Sequence, residues 1–240
     1  MFGYPDRRGA ALLPVLLLLT LLLAPAVPAA TQADNRRTVD DVVLSYRSKV
    51  EQRLLPRLRF AGVEWPPQEV MLLAIKESRQ LELWARSGSG WRHIRDYRIK
   101  GLSGGPGPKL REGDDQVPEG RYGIQALNAN STYHLSMKID YPNRFDRRQA
   151  LADGRSRLGD DIFIHGKDIS RGCLAIGDNA IEELFVLTAL IGEDRVRVLI
   201  APRDFRLHPP PATSADLPDW VSGLHRQIAS DMSQFPLQEK

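Results

Sequence analysis

The sequence predicts a mainly β sandwich or barrel with a few helices packed outside it. Three observations carry that expectation. Short strand-like runs follow one another from Val70 to Ala201, punctuated by glycine and proline. Several of them alternate apolar with polar residues, as a half-buried strand does. Helical spacing is confined to a segment before this series, one near its end and one in the tail.

Residues 1–29 read as a signal peptide. Arg7 and Arg8 precede an apolar run, Leu12 to Leu23, which breaks at Pro25 and Pro28 among small alanines. The alternative is an uncleaved anchor, because Ala10 to Ala30 is about long enough to cross a bilayer. No cysteine follows to carry a lipid there. About 210 residues remain, enough for one domain with flanking elements. Either reading puts the protein in the periplasm or cell envelope.

An N-terminal helical segment is expected over 36–62. Thr38-x-x-Asp41 resembles a capping arrangement, and Val39, Val42, Val43, Tyr46, Val50, Leu54 and Leu58 repeat at helical spacing. Pro56 marks a candidate end. "WPPQ", Trp65 to Gln68, breaks the chain before the main domain, 69–203. Strands are then expected in "EVMLLAIKES", "QLELWAR", "WRHIRDYRI", "RYGIQAL", "YHLSMKIDYP", "DIFIHG", "CLAI" and "DRVRVLIAP". "GLSGGPGPKLREGDDQVPEG" is a long polar loop, and Tyr141-Pro142-Asn143 a strand-ending turn that lines the cleft. "NAIEELFVLTAL" reads as a helix starting at Asn179-x-x-Glu182. Trp84 and Trp91 read as core or hairpin residues. The proline-rich tail, 208–240, carries one amphipathic helix whose stripe of Trp220, Leu224, Ile228 and Met232 docks in cis.

The formal charge is +3 and the arginines are scattered, so no nucleic-acid footprint is present. The single cysteine, Cys173, has no internal disulfide partner. It is a buried filler, an intermolecular partner or a reactive thiol. It lies in "IFIHGKDISRGCLAI", Ile162 to Ile176. His165 ends one strand there and Cys173 opens the next. Neighbouring strands lie about 4.8 Å apart, and opposed Cβ atoms about 5 Å apart. That is within reach of an imidazole–sulfur hydrogen bond, which turns a thiol into a nucleophile. Gly172 allows a tight bend, and the Gly172 and Cys173 N–H groups are candidate oxyanion donors. A carbonyl near Gly166 is placed to hold the second ring nitrogen of His165. The spacing equally leaves open a core histidine beside a filler cysteine. Asp160 and Asp161 precede the histidine strand, but no second His or Cys at zinc spacing accompanies them. A zinc amidase with His165 and Cys173 as ligands is the metal-dependent alternative.

"IHG…SRGCLAI" resembles the signature of the L,D-transpeptidase catalytic domain of the YkuD type. "EGDDQVPEGRYGI" is similar to that family's Thr-Pro-x-Gly-x-Phe-x-Ile element, with Val117 for threonine and Tyr122 for phenylalanine. The likeness runs from about Val70 to Ala201 and is strongest to a YafK-like branch. Arg171 and Ala175 depart from the usual Ser-His-Gly-Cys-x-Arg pattern. The resemblance implies a β catalytic domain acting on peptidoglycan stem peptides, with Cys173 as nucleophile and His165 as acid and base, and with no metal or cofactor needed. Transpeptidation is the first reading. Hydrolysis, including release of a wall-anchored lipoprotein, is the second, and an idle wall-binding module the non-enzymatic one. A monomer is expected. Gly172, Ser170, Arg171, Gly166 and Tyr122 are the expected substrate and oxyanion residues. Ser170 either donates to the site or caps a turn. Arg171 either binds a substrate carboxylate or stays solvated. Packing is the plainer role for Tyr122 and His134.

Overall fold

A computed structural model describes residues 36–210 and 217–237. The expected signal peptide therefore lies outside the described residues. No described helix is long and apolar enough to cross a membrane.

The chain opens with α1 (Val39–Phe60). Thr38 caps it reciprocally: its Oγ1 accepts from Asp41 N at 3.1 Å, and Asp41 Oδ2 accepts from Thr38 N at 2.7 Å. Pro56 does not end the helix, which runs on to Phe60. Val42, Val50, Leu54 and Leu58 form its buried stripe.

Eight strands follow: β1 (Val70–Ile75), β2 (Gln80–Ser87), β3 (Gly90–Arg98), β4 (Gly120–Asn128), β5 (Ser136–Ile139), β6 (Phe163–His165), β7 (Leu174–Ala175) and β8 (Val196–Ala201). They form one curved mixed sheet in the order β3-β2-β1-β8-β4-β5-β6-β7. Only β1–β8 and β6–β7 pair in parallel. Strand β4 joins the two halves. Its first residues, Gly120–Gly123, pair with β8, and those from Ile124 on pair with β5, with a register shift between Ile124 and Ala126. A bulge of this kind bends a sheet towards closure.

The central strands are apolar on both faces, as expected where both faces are covered. Val70, Leu72 and Ala74 of β1 enter one core with Val196, Val198 and Ile200 of β8. This core also takes α1 and α3 (Asp178–Ile191). Leu73, Ile75 and Leu199 point into a second core with fully buried Trp84. There α4 (Trp220–Met232) supplies Leu224, Ile228 and Met232, with Phe235 beyond it, so the tail docks in cis.

Two helix assignments need correction. The chain forms α2 (Arg144–Ala152), where only a turn was expected. Asn143 caps it, its Oδ1 accepting from Phe145 N at 2.8 Å and Asp146 N at 3.2 Å. Helix α3 starts after Gly177 and has no side-chain cap. Glu182, expected as its start signal, instead faces His134 and Arg53.

A buried ion pair ties the sheet to α4. Lys76 Nζ donates to Glu119 Oε1 at 2.9 Å and to the carbonyls of Gly107 and Val117. The other Glu119 oxygen meets His225 Nε2 of α4 at 2.8 Å. Glu119→Ala strands a buried ammonium and removes the anchor of α4. Its unfolding free energy in urea should fall by about 3–5 kcal/mol. Arg203→Ala breaks only an exposed pair with Glu77 and should cost less than about 1 kcal/mol.

Candidate functional site

The sequence brings His165 and Cys173 onto neighbouring strands. Their pairing is parallel, Ile164 opposite Leu174 and His165 opposite Ala175. Continuing that register sets Cys173, one step before β7, against Phe163. The Phe163 N–H does donate to Cys173 Sγ, at 3.4 Å.

His165 is held on both sides. Its Nδ1–H donates to Gly166 O at 2.7 Å. A carbonyl only accepts, so Nδ1 carries the proton and Nε2 keeps its lone pair in the neutral ring. The Tyr133 ring lies 4.4 Å from the imidazole, centroid to centroid, tilted by 37°. His165 is 2% exposed and Tyr133 42% exposed, so tyrosine forms the outer cover. Burial lowers the His165 pKa, and the Gly166 hydrogen bond opposes that shift. The neutral ring therefore persists to pH below the ordinary 6.5.

Cys173 is half-buried. Its S–H donates to Asp161 O at 3.7 Å. Burial pushes the thiol up from its ordinary 9.0; the Phe163 N–H acts in the opposite direction. Neither hydrogen bond of the sulfur is to the imidazole, so the expected thiol–imidazole hydrogen bond is not formed in this structure. The resting thiol is neutral.

The groups around the cysteine depart from the sequence expectation in a consistent way. Gly172, at φ 79°, makes the expected bend. Its N–H donates to Ser103 Oγ at 2.6 Å, and Ser103 Oγ in turn donates to Asp115 O at 2.7 Å. The Cys173 N–H donates to Ser170 Oγ at 3.0 Å. Both candidate oxyanion donors are thus occupied by serine hydroxyls. Ser170 also donates to Cys173 O at 2.7 Å, which is the turn-capping role. Arg171 is solvent-facing and pairs with Asp115 at 3.2 Å. Tyr122 is buried in the core, where its hydroxyl donates to Glu119 O at 3.1 Å. His134 holds Glu182 at 3.1 Å and packs edge-on against Tyr46.

Three contributors escaped sequence reading. Ser103 lies 69 residues from the N–H it accepts. Gly101 exchanges backbone hydrogen bonds with Ala175, and a Cβ there would strike the Asp168 carbonyl. Tyr133 sits on a loop tied down by Lys167 Nζ, which donates to Thr132 O at 2.6 Å. An aromatic next to a histidine in a polar loop, Tyr133-His134, was the available signal for the last.

Residues 69–198 match the model of the YkuD family, described as the L,D-transpeptidase catalytic domain. The chain belongs to this family. YafK of Escherichia coli K12 is 32% identical over 193 residues, covering 78% of this chain and 70% of its own. Among solved structures, the helical cell shape determining protein Pgp2 of Campylobacter jejuni is similar at 20% identity and a TM-score of 0.47. That match covers 70% of this chain and 56% of Pgp2. Bd1075 of Bdellovibrio bacteriovorus matches at 23% identity and a TM-score of 0.43, over 70% of this chain and 55% of its own. This chain thus spans little more than half the length of those two structures.

Two outcomes follow from the geometry. Gly101→Ala must push the His–Cys loop outward at Asp168. Its thermal unfolding should show a loss of about 1–3 kcal/mol, with faster alkylation of Cys173 by iodoacetamide. In the parent protein, the alkylation rate should still be climbing at pH 9.0, because burial raises the thiol. A rate that levels off near neutrality would mean that an ion-paired thiolate already exists at rest.

Proposed function

We propose that the protein is a peptidoglycan L,D-transpeptidase of the cell envelope, with Cys173 as nucleophile and His165 as general base and acid. The observation that carries this reading is the tautomer of His165. Gly166 O fixes the proton on Nδ1, which leaves Nε2 to take a proton from sulfur. The cysteine lies on the adjacent strand, two residues back in register. Cβ atoms in that relation are about 8 Å apart, and an imidazole and a thiol reaching towards each other close most of the gap.

On this mechanism Cys173 Sγ attacks the carbonyl of a stem-peptide amide as its proton passes to Nε2. The C–N bond breaks, His165 protonates the leaving amine, and a thioester remains. An acyl acceptor then takes the acyl group and returns the thiol. An amine acceptor makes a cross-link or exchanges a residue. Water gives hydrolysis. Hydrolysis is the second reading, because Arg171 and Ala175 depart from the usual family pattern. Export through the N-terminal 29 residues is part of the proposal.

The test is digestion of wall sacculi with a labelled D-amino acid in labelled water, read by mass spectrometry. Transpeptidation incorporates the amino acid. Hydrolysis incorporates the water oxygen instead. Cys173→Ser should abolish both, since a serine hydroxyl at its ordinary pKa is far less nucleophilic. Because burial lowers the pKa of His165, its protonation should not reduce kcat/KM until the pH falls below 6.5. Product formation unchanged in Cys173→Ala would put the chemistry elsewhere in the chain.

A further inference from the structure

A cavity of about 690 Å³ lies between the glycine-rich loop after β3, the segment after β8 and the start of α4. Small-molecule sites have volumes of about 300–1,000 Å³. Leu102 and Pro106 line it from the loop, Pro202 and Phe205 from beyond β8, and Leu217 and Val221 from the α4 side. Neither His165 nor Cys173 lines it, so it is separate from the cysteine site.

Its inner charges are already paired. Lys76 spends its three donors on Glu119, Gly107 O and Val117 O. Arg203 holds Glu77 at 2.9 Å. A charged ligand would therefore leave water without gaining a free counter-ion inside. The exposed carboxylate of Asp219 also repels an anion.

His225 is the exception among the lining groups. It is 7% exposed, and its Nε2 meets Glu119 Oε2 at 2.8 Å. A carboxylate oxygen accepts, so Nε2 carries the proton and Nδ1 of the neutral ring keeps its lone pair. Nδ1 has no hydrogen bond among the described residues, where every fully buried side-chain nitrogen or oxygen has one. It is therefore open, and the cavity is what His225 opens onto. The Phe205 ring lies 5.5 Å from the imidazole and forms an apolar wall beside it.

The opposite wall reaches the cysteine. Leu102, Gly104 and Gly105 line the cavity, while Ser103 between them accepts from the Gly172 N–H. This segment has little slack. A Cβ at Gly101 would strike Asp168 O, and one at Gly104 the side chain of Gln116. A molecule packed against Leu102 and Gly104 therefore holds Ser103 against Gly172.

We propose that this cavity binds a small neutral molecule with an apolar body and one hydrogen-bond donor, received by His225 Nδ1, and that its occupancy restrains the cysteine loop through Ser103. Neither part depends on the nucleophile reading, because binding and thiol reactivity are measured without turnover.

The experiment uses the full-length protein with β-naphthol and its methyl ether. The two share an apolar body, but only the naphthol donates. Calorimetric titration should give the ether about tenfold weaker binding. His225→Gln keeps a donor for Glu119 and removes Nδ1, so naphthol should fall to the level of the ether. Ser222→Trp fills the cavity from a half-buried position that has no hydrogen bond to lose. It should abolish binding of both compounds with the melting temperature preserved. Saturating naphthol should slow alkylation of Cys173 by iodoacetamide about fivefold or more. In Ser222→Trp the rate should not respond to naphthol. Equal binding of the ether would overturn the role of His225, and binding retained in Ser222→Trp would overturn the site. Alkylation unchanged at saturation would overturn the link through Ser103.

Discussion

The position of the cysteine depends on the hydrogen bonds of a two-residue strand. On one side β7 pairs with β6. On the other, Ala175 N–H donates to Gly101 O at 3.0 Å, and Ala175 O accepts from Lys100 and Gly101 N–H groups. Two residues cannot make a strand without partners on both flanks. The eight residues from Gly166 to Cys173 must also return far enough for β7 to run parallel to β6. They are packed so closely on Gly101 that no side chain fits there. Ser103 continues the same segment and holds Gly172, while Gln116 Oε1 accepts from Gly105 N at 3.1 Å. Gly107 N–H then donates to Glu119, the buried carboxylate that also binds Lys76 and His225. A continuous set of contacts thus links the cysteine loop to the C-terminal helix. This gives the tail a structural part in the domain although it lies beyond the 69–198 match.

Buried charge is handled throughout by pairing. Glu183 on α3 accepts from Arg95 and from Tyr97, and burial still raises its pKa. Arg206 is clamped between Glu82 and Asp204. Asp146, under the α2 cap, is pushed up to about 6 by burial. Among the described residues every fully buried side-chain nitrogen or oxygen has a partner. Such groups cost little while satisfied and much when one partner is lost. They therefore fix the relative placement of sheet and helices more tightly than apolar contact alone. The cysteine stands apart, because its two hydrogen bonds are long contacts to sulfur.

Much of this was legible in the sequence. The strand runs were found because β1, β2 and β8 are apolar and bounded by turn residues, and the placing of His165 and Cys173 on neighbouring strands was found because glycines bound the loop; their direct opposition does not hold, since the register sets Cys173 against Phe163. The parallel sense of β6 and β7 was not legible. A link of this length looks like a hairpin loop, and only tertiary contact with Gly101 makes it a return. Helix α2 was missed because "RFDRRQALA" is mostly polar, yet Asn143-x-x-Asp146 after a proline was a start signal in plain view. Asn179-x-x-Glu182 misled in the opposite sense, since Glu182 serves tertiary partners. Expected oxyanion donors were located at Gly172 and Cys173, but sequence carries no sign that Ser103 and Ser170 occupy them.

Those occupied donors and the neutral thiol belong to one physical state. Burial lowers the pKa of His165 and raises that of Cys173, so both shifts oppose an imidazolium–thiolate pair. On the proposed mechanism, the resting site must therefore give up three sets of contacts before attack. Sulfur leaves the Asp161 carbonyl, Ser103 leaves the Gly172 N–H, and Ser170 leaves the Cys173 N–H. The first exchange is inexpensive, because hydrogen bonds to sulfur are weak. The other two replace a neutral acceptor with an oxyanion, and charge-assisted hydrogen bonds are roughly twice as strong. The balance thus shifts towards the active arrangement as negative charge builds on the substrate oxygen. In the absence of substrate the same hydroxyls satisfy the donors, while burial keeps the thiol protonated. On the proposed export, a single unpaired cysteine gains directly from that, since oxidation proceeds through the thiolate.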